Sequence, residues 1–244
     1  MNKLFKTLIS LSFAISILAL PTIQASAEEV NSSISTDVYQ EMKSAGMSDQ
    51  DIEMLKKHNA EEIEYINSGK LKEKALKDQQ TIALNSDKSD ERNAAISPNA
   101  SSLGTFGDIL VAFNASSWGI DFGYPGHAGI VSNTNGYTIE SFPADGVQYH
   151  TNDWGSRTNI YAMHVKGASS SNYTGAAGYA YTKIGKPYNW NFVNPWSEDK
   201  FYCSQLVWKA WKTQGIDVDY ITIDPIVTPM EIAKSGNTSI YYSN

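Results

Sequence analysis

The sequence predicts an α+β protein preceded by a helical N-terminal region, and three observations predict it. Composition changes near residue 100: all six Trp and all Tyr except Tyr39 and Tyr65 lie beyond it. Short apolar runs with strand character recur between residues 109 and 165, and Asn135-Gly136, between two of them, is the strongest two-residue hairpin signal in the chain. Leu206, Val207, Ala210 and Trp211 then repeat at helical spacing over residues 203–214. The 244 residues are 41% hydrophobic, enough for a packed core. A net charge of −7 argues against nucleic acid or an anionic membrane surface as the main partner. A single cysteine excludes an internal disulfide and a multi-cysteine zinc site.

Residues 1–27 read as a secretory signal peptide. Lys3 and Lys6 supply a positive start, Leu8 to Leu20 an apolar run, and Ala25-Ser26-Ala27 a small-x-small cleavage site. The run is shorter than the roughly 20 residues of a spanning helix, and Pro21 ends it. The expected product works outside the cytoplasmic membrane, secreted or held in the cell envelope, with cleavage near Ala27 and no spanning segment left after processing.

Residues 28–100 read as helices and a linker. Ser48-Asp49-Gln50-Asp51 has the form of a capping box with Asp in place of Glu. Ile52, Leu55, Ile63 and Ile66 give a sparse apolar stripe, Gly69 a stop, and Leu71 to Leu84 a second helix. The polar stretch from Asn85 to Ser102, with Pro98, is the linker. The thin stripe suits a solvated spacer or small cap; the acidic character also suits a segment that covers a cleft.

Residues 101–244 form the α+β part. Strands are expected over Ile109–Phe113, His127–Val131, Tyr137–Phe142 and Asn159–Val165, and helices over Tyr173–Ile184 and Cys203–Gln214.

Cys203 begins the last of these helices. Unpaired N–H groups and the helix dipole favour an anion there, which lowers a thiol's pKa and makes it a nucleophile. The alternative is an inert cysteine on the inner helix face with 206, 207 and 210. A working thiol needs a base. His127 opens an apolar strand after the Gly123-Tyr124-Pro125-Gly126 turn, while His58 lies in the charged N-terminal region and His150 and His164 in or near strands. Glu140 is the candidate to orient the imidazole. A turn on Asn135-Gly136 pairs Glu140 with Val131, about 13 Å along the strand from His127. A turn on Asn133-Thr134 puts the two residues directly opposite. Both registers keep them on one face.

Gly185-Lys186-Pro187-Tyr188-Asn189-Trp190 and Phe201-Tyr202-Cys203-Ser204-Gln205-Leu206-Val207 together resemble the cysteine block of NlpC-type cell-wall peptidases, G-x-P-Y-x-W/F followed by D-C-S-G-L-V. His127-Ala128-Gly129-Ile130-Val131 resembles their H-V-G-I-Y strand, and Gly107-Asp108-Ile109-Leu110 an opening strand. Histidine, acid and cysteine come in that order, which is similar to the circularly permuted YiiX and YaeF group of papain-like amidases. The resemblance covers roughly residues 104 to 235.

It implies a permuted papain-like catalytic domain over 101–244, an antiparallel sheet packed on the cysteine-bearing helix. Cys203 matches the nucleophile, His127 the base and Glu140 the acidic third member. Tyr188 matches a tyrosine that lines the site near the oxyanion. Gln205 stands where the family has Gly, and Tyr202 where it has Asp. The implied function is hydrolysis of amide bonds by a cysteine peptidase, in cell-wall peptides or peptidoglycan fragments, with no metal or cofactor required and no nucleic-acid partner. A lipid or acyl-ester hydrolase or acyltransferase, and a non-catalytic cell-wall binding protein, are the alternatives. A zinc centre of His127, His150 and His164 has spacings of 23 and 14, which match no common ligand motif. Trp118, Tyr124, Trp154, Trp190 and Trp196 lie in expected loops and either line a substrate surface or pack beneath those loops.

Overall fold

A computed structural model describes residues 34–85, 102–113 and 126–244. The signal-peptide stretch, Trp118, Tyr124 and most of the linker lie outside the described residues.

Among the described residues, six strands form one antiparallel sheet in the order β4-β3-β2-β1-β5-β6. They are β1 (Ile109–Ala112), β2 (His127–Val131), β3 (Tyr137–Phe142), β4 (Gly146–Thr151), β5 (Ile160–Val165) and β6 (Thr238–Ser243). The central strands read as unbroken apolar runs because both faces of the sheet are covered. Ile109, Val111, Ala128, Ile130 and Ile139 enter one apolar cluster. Their neighbours Leu110, Ala112 and Val131 enter another, with Leu103, Trp154 and Tyr241. Two strands escape the sequence reading. Both β4 (GVQYHT) and β6 (TSIYYS) are edge strands, polar enough that no apolar run marks them.

The first cluster is shared with helices α4 (Ser170–Tyr181), α5 (Cys203–Lys212) and α6 (Pro229–Lys234). Leu206, Val207, Ala210 and Trp211 of α5 all enter it, so the helical spacing seen in the sequence is the face laid on the sheet. Ser169 caps α4 in a box with Asn172, so the helix begins at Ser170, three residues before the expected Tyr173.

The N-terminal region folds as α1 (Thr36–Ser44), α2 (Asp49–Asn67) and α3 (Lys70–Asn85). The expected capping box is present: Asp51 N–H donates to Ser48 Oγ at 3.1 Å, and Ser48 N–H to Asp51 Oδ2 at 2.8 Å. Among the described residues, these helices belong to the same compact unit as the sheet. Val38, Met42, Met47, Ile52 and Leu55 pack with Tyr188, Phe192, Tyr202 and Ile226. Leu71 and Ala75 join the cluster beneath the sheet. Helix α3 runs beside β6, and Asp78 accepts an N–H of that edge strand from Ile240 at 3.0 Å. The thin apolar stripe therefore meets a partner, each fully buried Ile or Leu contributing roughly 1.5–3 kcal/mol.

Candidate active site

The β2–β3 connection decides whether His127 and Glu140 can meet. Its register is Gly129 opposite Glu140, midway between the two sequence alternatives. The cause is a four-residue connection, Asn133–Gly136. Ser132 N–H bonds Tyr137 O at 3.0 Å, Tyr137 N–H bonds Thr134 O at 3.2 Å, and Gly136 takes φ +80°. Glu140 is thus diagonal to His127 on the same face, a separation that a long side chain can bridge.

It is bridged across a glycine. A Cβ at Gly129 would lie 2.9 Å from Glu140 Cγ and 3.2 Å from the Trp154 ring. Without it, Glu140 leans over the gap and its Oε2 stands 2.6 Å from His127 Nε2. Glu140 Oε1 accepts from Trp154 Nε1 at 2.9 Å and from the Thr138 hydroxyl. The imidazole stacks on Phe142 at 4.2 Å and lies 5.8 Å from the Trp154 ring, nearly parallel to both. Histidine and carboxylate are fully buried, so a partner for each is obligatory.

Cys203 is the first residue of α5 and is 4% exposed. Its sulfur lies close enough to His127 and to the backbone N–H groups of Ala128 and Ser204 for each to lower its pKa. With Nε2 committed to Glu140, Nδ1 is the ring nitrogen left to exchange a proton with the sulfur. Burial pushes the Cys203 thiol up, but the His127 hydrogen bond and charge, with the two N–H groups, outweigh it and leave the pKa lowered. Burial pulls the imidazole down, but Cys203 and Glu140 outweigh it and raise His127 to about 9. Glu140 is likewise lowered, its burial offset by His127, Thr138 and Trp154. All three directions favour thiolate, imidazolium and carboxylate in a row.

Tyr188 sits beside this group. Burial holds its hydroxyl well above the ordinary tyrosine range and the Cys203 charge raises it further, so it stays protonated. Its ring packs edge-on against Trp190 at 4.9 Å. The two departures from the family pattern are architectural. Gln205 accepts from Tyr202 N–H and Asn189 Nδ2, both at 3.0 Å, and donates to Pro195 O at 3.0 Å and Ser197 O at 3.2 Å. It ties the 188–202 segment to the helix. Tyr202 is buried against Phe192 and accepts Val227 N–H at 3.3 Å.

The other histidines lie elsewhere, His150 at 3.6 Å from Asp145, His164 at 3.9 Å from Asp108 and His58 at 3.5 Å from Asp224. Among the described residues, His127, His150 and His164 form no common metal-binding group. Trp154 is fully buried as a donor to Glu140 and does not belong to a substrate surface; Trp196 is 62% exposed. Sequence reasoning missed Gly129 and the role of Trp154. An apolar strand interrupted by a glycine was the available signal for the first.

Three comparisons with known proteins gave matches. The sequence profile of the permuted papain-like amidase enzymes, YaeF/YiiX, C92 family, matches residues 107–231. The uncharacterized protein YycO of Bacillus subtilis (strain 168) is 37% identical over 101 residues, 38% of this chain and 40% of that protein. The crystal structure of the metalloprotein YiiX from Escherichia coli O157:H7 aligns with a TM-score of 0.42 at 19% identity, over 57% of this chain and 97% of that one. The matched span begins just before β1, ends within α6 and contains His127, Glu140 and Cys203 in that order. The chain belongs to the permuted papain-like amidase family of the YaeF/YiiX type.

Proposed function

We propose that this protein is an exported cysteine hydrolase that cleaves amide bonds in cell-wall peptides, using Cys203 as nucleophile, His127 as acid and base, and Glu140 to orient the imidazole. The observation that carries the reading is the buried row Cys203–His127–Glu140, in which Glu140 stands 2.6 Å from the imidazole and the imidazole and thiol shift each other's titration, with the sulfur at a helix start. The thiolate adds to the amide carbonyl, forming a C–S bond. The oxyanion takes N–H donors at the start of α5, with the protonated Tyr188 beside the sulfur; one such donor is typically worth about 3 kcal/mol. His127 gives its proton to the departing amine as the C–N bond breaks. It then takes a proton from water, whose oxygen attacks the thioester and releases acid and thiolate. Glu140 stays ionised throughout and stabilises the imidazolium.

Export is supported by the Leu8–Leu20 run and the Ala25-Ser26-Ala27 site, and among the described residues no helix is long and apolar enough to cross a membrane. An address beyond the cytoplasmic membrane would put the thiol near peptidoglycan. The test is iodoacetamide alkylation of Cys203 against pH, followed by turnover of muropeptides and of acyl esters. The reading predicts a thiol titrating well below about 8.5, restored to ordinary behaviour by His127→Ala, and muropeptide cleavage abolished by Cys203→Ser. An unreactive thiol indifferent to His127→Ala would overturn the mechanism. Ester turnover without peptide turnover would overturn the substrate class.

A further inference from the structure

The segment that joins α5 to α6 passes against α2, and carboxylates gather where they meet. His58 of α2 has Nε2 3.5 Å from Asp224 Oδ2. Glu231, in the first turn of α6, completes a group in which one ligand-type atom from each residue lies within 4.8 Å of the others. Glu62, one turn beyond His58 on α2, and Asp219 are close enough for their charges to act on Glu231.

Three of the oxygens in this region lack what buried oxygens need. Glu231 Oε1, Glu62 Oε2 and Asp219 Oδ1 are buried and have no hydrogen-bond partner among the described residues. Their side chains belong to residues 1%, 5% and 9% exposed. Thr228 pins one oxygen of each glutamate: its N–H donates to Glu231 Oε2 at 2.9 Å, and its hydroxyl donates to Glu62 Oε1. The orphan is the second oxygen in both. Native interiors leave few such atoms unpaired. Lys234 acts on Glu62, but its ammonium lies over the Tyr220 ring at 4.4 Å.

We propose that His58, Asp224 and Glu231 hold a divalent cation, with Zn2+ the best match, and that the ion fastens α2 to the segment entering α6. The donor set is one imidazole nitrogen and two carboxylates with no thiolate, which suits Zn2+ better than Ca2+, whose sites are built from six to eight oxygens. Two ligands on a tetrahedral Zn2+ at its usual bond lengths stand about 3.4 Å apart. The 3.5 Å between His58 and Asp224 fits that spacing and is long for a hydrogen bond. The fastened segment carries Val227, whose O accepts the Ser204 hydroxyl at 2.7 Å and whose N–H reaches Tyr202. The ion would therefore brace the start of α5 from behind. Its role is structural, and no step of the thiol chemistry passes through it.

The test uses the purified protein carrying Cys203→Ser, so that the thiol cannot take the ion. After chelation it is titrated with Zn2+ and, separately, with Ca2+, by calorimetry and thermal denaturation. One Zn2+ per chain is expected, with a Tm rise of roughly 5–10 °C at ~100-fold excess over Kd. Asp224→Asn and His58→Gln should each abolish the binding. The Asp224 side chain is 19% exposed, so that variant is the gentler of the two and its metal-free Tm should stay close to the parent's. Zn2+ binding that survives both substitutions, the absence of a Zn2+-dependent rise, or a response to Ca2+ alone would each overturn the assignment.

Discussion

At the scale of single residues, the site is a problem of holding three charges out of water. Cys203 and Glu140, the latter at 2.6 Å, raise the His127 pKa against its burial, and Glu140's own is lowered against burial by His127 first and then by Thr138 and Trp154. Replacing Glu140 by Gln removes the charge and keeps the shape. His127 should then fall from about 9 towards its ordinary range, and turnover should drop between about 10- and 10³-fold. The sign of the pH dependence follows from the two directions. The lowered Cys203 pKa sets the acid limb, because protonation removes the nucleophile as pH falls. The raised His127 pKa sets the alkaline limb, because the acid for the leaving group is lost as pH rises through about 9. A bell-shaped kcat/KM profile is expected, narrowed in Glu140→Gln: the alkaline limb moves to lower pH, and the weaker imidazolium charge beside Cys203 moves the acid limb to higher pH; a pH–rate series on both proteins measures this. Gly129→Ala puts a Cβ 2.9 Å from Glu140 Cγ. Overpacking of this kind costs about 1–3 kcal/mol, and it should displace the carboxylate as well. The variant should therefore lose turnover and Tm together, where Glu140→Gln loses mainly turnover.

At the scale of elements, the cysteine-bearing helix is positioned by a loop that Gln205 organises. Its four hydrogen bonds all run to the 189–202 segment. Gln205→Ala strips buried partners of their bonds, at roughly 1–3 kcal/mol for each group left unsatisfied. The largest influences on the Cys203 pKa come from burial, His127, Ala128 and Ser204, not from Gln205. The expected result is a Tm lower by several degrees with the pH midpoint of Cys203 alkylation nearly unchanged; a moved midpoint would place Gln205 in the chemistry instead. The same scale shows why some features were legible in the sequence and others were not. The central strands, the Ser48 box and the face of α5 follow from local pattern, because each is set by residues a few positions apart. The β2–β3 register is not local in that sense. Asn135-Gly136 marks a turn, but the length of the connection decides which residue faces Glu140, and four residues rather than two put Gly129 there. Gly129 itself acts through an atom it lacks. Cys203, His127 and Glu140 are singled out by order and residue type, while the distance between them belongs to the fold.

At the scale of the whole molecule, the break in composition near residue 100 is not a break in packing. Charged, aromatic-poor helices are expected to stand apart from an aromatic-rich domain, yet Thr228 bonds Glu62 across 166 positions and Asp78 serves β6 across 162. No window of sequence contains both partners of such a contact. Two consequences can be separated by removing residues 34–85. If these helices were a detachable cover, the remainder would stay folded and its thiol would become more accessible. The core argues otherwise. Met42, Met47, Ile52, Leu55 and Leu71 are at most 2% exposed, and their combined burial is worth roughly 8–15 kcal/mol as an upper figure. That matches the entire stability of an ordinary domain, about 5–15 kcal/mol. Their loss also uncovers Phe192, Tyr202 and Ile226, which support the start of α5. The truncated chain should therefore lose its cooperative thermal transition, bind a hydrophobic dye such as ANS, and show no muropeptide turnover. A soluble, cooperatively folding product with faster alkylation of Cys203 would instead make the helices a removable cover. Calorimetry, dye binding and the alkylation rate on the same truncated protein decide between the two.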